Sequence, residues 1–200
     1  IEVSAAPDAI ADALARAKAG DTLLLAPGKY RESKLANLQV PVTIQAADTN
    51  NPPKITFERP NFILLSAKGG LRMTGLSVSG AASTDSSGNS FITTTSIGGA
   101  GNHTVELSDM SFTEFDVNKG FSVVSAAKGT FYDRIKITRS EFSDISGAVI
   151  KLDSETDDYG IYNAEYLIIE DSVFEHIGGP VASVYRGGRD ESTFGPHVWV

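Results

Sequence analysis

The chain contains no cysteine. Disulfides, thiolate zinc sites and cysteine nucleophiles are therefore excluded, while the compartment stays open. Long apolar runs are also missing. Nothing reaches the run of about 18 residues that a membrane-spanning helix needs. Residues 1–10 lack a basic stretch followed by an apolar one, so they are no signal peptide, although one removed ahead of this numbering is compatible with the sequence. Basic charge is scarce: 17 Lys and Arg stand against 25 Asp and Glu, a net charge of −8. That deficit argues against a general nucleic-acid binder, which needs a basic face to displace counterions. It also means that an anionic polymer is a ligand only where basic groups cluster or a cation bridges. What remains is ordinary for a globular domain: 200 residues, 41% hydrophobic and 21% charged, read as one unit over residues 1–200.

The first segment reads as a helix followed by a strand. Ile10, Ala13, Leu14 and Ala17 fall at helical spacing, with Ser4 or Asp8 to cap them and Gly20-Asp21 to stop them. Residues 22–25 form a short apolar strand and residues 26–30 a turn. The expectation is an amphipathic helix covering the open end of a stack whose first rung begins at Leu23.

The stack is inferred from a repeat. Val105-x-Leu107-x-x-x-x-Phe112 recurs as Ile135-x-Ile137-x-x-x-x-Phe142 and as Leu167-x-Ile169-x-x-x-x-Phe174. The phenylalanines are 30 and 32 residues apart, and a fainter copy, Leu71-x-Met73-x-x-x-x-Val78, precedes them by 34. Each copy is a pair of alternating inward residues, a polar corner such as Thr138-Arg139-Ser140, and a second inward residue. Alternation at period two means strand. Recurrence at this length means a solenoid whose turns bury their inner faces against one another. Phe115, Ile145 and Ile177 follow each Phe by three positions, and Gly147 and Gly179 then allow a bend. The fold class is all-β, a right-handed parallel β-helix with a short N-terminal capping helix. A β-sandwich has short alternating strands too, but it leaves the recurring Phe unexplained. Two insertions interrupt the repeat. Residues 80–96 (GAASTDSSGNSFITTTS) read as an exposed polar loop, and residues 151–164 (KLDSETDDYGIYNA) as an acidic outward loop.

Three stretches carry a resemblance. Residues 19–30 (AGDTLLLAPGKY) are similar to the first rung of many polysaccharide-active β-helices. Residues 160–165 (GIYNAE) and 184–196 (VYRGGRDESTFGP) are more specific. Together they resemble the second, C-terminal β-helix of two-domain enzymes in polysaccharide lyase family six, the alginate lyase and chondroitinase B family, over essentially the whole chain. The resemblance implies β-elimination on uronic-acid polysaccharides, a secreted or periplasmic setting, and an N-terminal catalytic β-helix as partner. In the family, that catalytic domain supplies a Lys base, an Arg acid and calcium held by Asn and Glu. This sequence contains neither an Arg-His-Gly motif nor a Glu-x-Glu pair. Calcium is therefore expected in the catalytic domain and no cofactor in this chain. Because the sequence stops at Val200 on what reads as the start of another rung, a domain or fragment of a longer lyase is expected.

Several residues are candidates for chemistry. Lys151 and Arg186 each follow an inward strand on successive rungs, about 5 Å apart in backbone if they match in register. A Lys taking a proton while an Arg protonates the leaving oxygen is the division of labour an elimination needs; the plain alternative is two solvated charges paired with Asp153, Asp190 or Glu191. Tyr162, Tyr185 and Trp199 are candidates to stack on sugar rings, and Arg189 to meet an acidic substrate. Asn163, Glu165, Asp190 and Glu191 are expected to form a clamp with Arg186 at the solenoid rim. Asp190 and Glu191, with Asp153, Glu155, Asp157 and Asp158 on the previous loop, offer a calcium ion hard oxygen ligands but no EF-hand spacing, and read as an acidic solvated loop. His103, His176 and His197 are read as surface or turn residues. Three functions follow: a supporting, non-catalytic domain of an alginate-type lyase, with acidic polysaccharide as the polymer; an autonomous lyase using Lys151 and Arg186; or a non-enzymatic carbohydrate-binding or adhesive β-helix.

Overall fold

The computed structural model describes residues 1–95, 102–116, 119–154, 163–184 and 196–200. Three parallel sheets run the length of a solenoid, with eight, six and six strands. The first holds Glu2–Val3, Thr22–Leu25, Pro41–Ala46, Gly70–Thr74, Asn102–Ser108, Phe131–Thr138, Ala164–Glu170 and His197–Trp199, in that order. The second runs from Lys29–Glu32 to Val173–Ile177 and the third from Ala36–Leu38 to Ala182–Val184. Every rung visits the three sheets in the same order, so each strand pairs with its equivalents one rung before and one rung after. A parallel β-helix, not a sandwich, is the result.

The repeat read from the sequence is the register of the sheets. Val105 lies beside Leu71 and Ile135, and Leu107 beside Met73 and Ile137. Ile135 and Ile137 in turn lie beside Leu167 and Ile169. In the second sheet Val78, Phe112, Phe142 and Phe174 form one column. Phe112 and Phe142 stack with centroids 5.3 Å apart, and Phe142 and Phe174 at 5.0 Å. Phe57, Phe62, Phe91, Phe115 and Phe121 fill the rest of the coil, all fully buried.

Between the first and second sheets the chain turns through a single left-handed residue. Gly75, Asp109, Arg139 and Asp171 occupy this corner on four successive rungs, with φ of 72°, 53°, 46° and 50°. Their N–H groups continue the ladder through the bend: Gly75 donates to Ser108, Asp109 to Thr138 and Arg139 to Glu170, each at 3.1 Å. Asp tolerates this conformation better than most residues. Arg139 does not have that advantage, but its fork meets both oxygens of Asp109 at 2.8 Å, and that hydrogen bond holds the Asp109 carboxyl below the usual carboxylate range.

The helix Ala9–Leu14 buries Ile10, Ala11, Ala13 and Leu14 against the first rungs, as expected of a cap. It ends before Ala17, and it is capped by a different group from the one expected. Asp8 sits at the N-cap position but its carboxylate turns to the Ser33 and Lys34 N–H groups. The helix N–H groups of Ile10 and Ala11 go instead to the buried carboxylate of Glu32, at 3.0 and 3.1 Å.

Two expectations are corrected. Residues 80–96 are not loop throughout, because Ser90–Thr94 is a strand of the third sheet with Phe91 and Ile92 in the core. Burial of those two side chains overrides the polar composition around them. His103 is not a surface residue. It is fully buried, its Nδ1 lies 2.8 Å from the Gly69 carbonyl, and its Nε2 has no hydrogen-bond partner. Gly147 stands in a bend, as expected; a side chain there would also lie 2.5 Å from the Phe121 carbonyl oxygen, so hydrogen is required for close approach of rungs.

Candidate functional site

Lys151 projects outward from the strand Ile150–Leu152, whose other two residues are buried. Its neighbours in register are Ser125 on the preceding rung and Ser183 on the next. Ser125 Oγ donates to Thr93 Oγ1 at 2.9 Å, and Ser183 Oγ donates to Asp153 Oδ2 at 2.6 Å. The third sheet thus presents an exposed ammonium within a row of hydroxyls. The residue opposite Lys151 on the following rung is Ser183; Arg186 lies outside the described residues.

Asn163 is buried and ties two rungs together. Its Nδ2 donates to the Thr130 carbonyl at 2.9 Å, and its own carbonyl accepts the Tyr132 N–H at 2.8 Å. Glu165 has an oxygen 4.0 Å from Nε2 of His197 on the next rung. The remaining clamp residues Arg186, Asp190 and Glu191, the substrate candidate Arg189, the stacking candidates Tyr162 and Tyr185, and the acidic residues Glu155, Asp157 and Asp158 also lie outside the described residues. Among the described residues no three His, Asp or Glu side chains converge.

Sequence reasoning missed the outer face of the first sheet. Between the inward pairs of the repeat stand Arg72, Glu106 and Lys136, and one position before an inward residue stands Arg134. Arg72 donates through Nε to Glu106 at 2.8 Å, with Nη2 at 2.6 Å. Arg134 reaches the other Glu106 oxygen at 3.4 Å. Lys136 pairs with Glu170 at 3.0 Å. Beyond them Tyr166 stacks with His197 and Trp199, centroids 5.4 and 6.0 Å away. The signal was present in the sequence: the middle residue of each Leu-x-Met or Val-x-Leu unit must point outward, and those residues are charged.

The architecture and register define a parallel β-helix. Among solved structures the chain is similar to a polysaccharide lyase family six (PL6) enzyme, the alginate lyase AlyGC. The two share 38% identity with a TM-score of 0.94 over 99% of this chain. An arginine-to-alanine mutant of the same enzyme gives 38% identity and a TM-score of 0.93. The chain spans 27% of the length of either. No protein-family model matches the chain, and no curated protein matches it. The family resemblance read from residues 19–30, 160–165 and 184–196 thus extends to sequence and backbone together.

Proposed function

We propose that the chain is a β-helix domain of an alginate-type polysaccharide lyase, supporting a catalytic β-helix and its substrate groove without catalysing by itself. One observation carries this reading: likeness to AlyGC covers 99% of this chain but 27% of that enzyme. A chain so similar to part of a lyase is read as a part. The polymer is then an acidic, uronate-containing polysaccharide, the setting is secreted or periplasmic, and calcium belongs to the catalytic β-helix. The chemistry of elimination supports a non-catalytic role. A base must reach the proton beside the carboxylate while a second group neutralises that carboxylate, and the Arg-His-Gly and Glu-x-Glu motifs that serve the family are missing from the sequence. The test is incubation of the 200-residue chain with alginate, following ultraviolet absorbance of the unsaturated product. No product is expected from the chain alone. Sustained turnover by the chain alone overturns the reading.

A further inference from the structure

We infer that the outer face of the first sheet carries a binding site for a uronate residue, built by Arg72, Arg134 and Glu106 over a floor of small residues. The identity of the sugar rests on the lyase reading; the site itself rests on geometry. A trough of about 260 Å³ crosses this face. Pro41 and Gly70 are neighbours in register on its floor, with Pro41 exposed and Gly70 buried beside it. The floor gives the C–H face of a sugar an apolar surface. Thr43 and Thr104 line the trough and bring hydroxyl groups to it. Three charges close it: Arg72, Glu106 and Arg134.

The balance of those charges selects the ligand. One carboxylate stands between two guanidinium groups, leaving one positive charge unmatched. Glu106 is the less exposed partner, with 21% of its side chain accessible against 60% and 44% for Arg72 and Arg134. It therefore holds both forks in place while the exposed guanidinium edges face solvent, where they can donate to a planar anion, the geometry in which Arg outperforms Lys. A sugar carboxylate meets the arginines, its hydroxyls meet Thr43, Thr104 and Glu106, and its ring lies on the floor. Nucleic acid is the competing anion, but a chain of net charge −8 is poorly suited to it.

The test is calorimetric titration of the 200-residue chain with alginate oligosaccharides of about six residues, with a neutral gluco-oligosaccharide of the same length, acetate and single-stranded DNA as controls. Binding of the oligouronate alone is expected, weakening at least about tenfold in Arg72→Ala and in Arg134→Ala. Melting temperatures should stay close to that of the parent chain, because both side chains are largely exposed. Absence of binding, binding indifferent to both arginine substitutions, or equal binding of acetate, neutral sugar or DNA overturns the site. None of these results depends on turnover, so the site fails or stands separately from the supporting-domain reading.

Discussion

Phe142 lies flat against Phe112, with ring planes 5° apart and centroids 5.3 Å apart, and presents its other face to Phe174 at 7° and 5.0 Å. Because each ring belongs to a different rung, the column transmits packing along the solenoid axis. Truncation of the middle member, Phe142→Ala, is expected to cost about 3–5 kcal/mol. Phe174, on the end strand of the second sheet, is only partly buried, so Phe174→Ala should cost less. Urea titrations of the two variants check the order; equal losses would mean that the column does not act through burial.

Gly147 allows a second prediction. A β-carbon there would lie 2.5 Å from the Phe121 oxygen and 2.7 Å from the Gly120 carbonyl carbon, both backbone atoms that cannot swing away. Gly147→Ala should therefore destabilise by about 1–3 kcal/mol, as overpacked cores do. Alanine at Gly88, which meets nothing within 4 Å but has a φ of 74°, serves as the comparison for backbone strain without crowding. Thermal melts of the pair separate the two effects.

Two buried ionisable groups set opposing pH dependences. Burial pushes the Glu32 carboxyl up, against the pull of the Ile10 and Ala11 N–H groups. The folded chain then holds this proton more tightly than the unfolded chain, so stability falls as pH rises from the ordinary glutamate range through the folded value. Burial pushes His103 down, against its hydrogen bond to Gly69. Here the unfolded chain binds more protons, so stability is complete above the ordinary histidine value of about 6.5 and falls as pH drops through it. In Glu32→Gln the histidine slope should remain without its opponent, and melting temperature should rise more steeply between about pH 4.3 and about pH 6.5, the two ordinary values. In His103→Leu that rise should disappear. A Glu32→Gln profile no steeper than that of the parent chain would contradict the assignment.

How far the sequence reached follows from where information is stored in a solenoid. Phe112, Phe142 and Phe174 were legible because inward residues repeat at the rung period and one rung's register dictates the next. Phe91 and Ile92 were not, since two apolar residues inside a Ser- and Thr-rich stretch carry no period of their own. His103 was misread for a related reason: it stands at an inward position one alternation before Val105, where burial is decided by register and not by residue type. The helix cap was legible as a helix, but its acceptor, Glu32, is 22 residues from Ile10 and only the coil brings them together. The charged triad of Arg72, Glu106 and Arg134 spans three rungs in the same way. Of the candidate site, Lys151, Asp153, Asn163, Glu165 and Trp199 fall on described strands or at their edges, and the rest on residues outside the described ones.

Lys151 supplies the last prediction. Its ammonium is exposed and flanked in register by Ser125 and Ser183, with Asp153 already engaged by Ser183. An exposed lysine among hydroxyls is well placed to meet a sugar chain. The motifs that serve catalysis in the family are missing from the sequence. The side chain is not buried. Lys151→Ala is accordingly expected to leave both the melting temperature and the absence of turnover unchanged. Arg186→Ala discriminates the remaining role at the rim. If Arg186 forks onto a buried carboxylate, its loss should cost about 3 kcal/mol or more; if it serves a ligand, the melt should hold and oligouronate binding weaken. Product formation by the parent chain that vanishes in Lys151→Ala would make this domain a lyase in its own right.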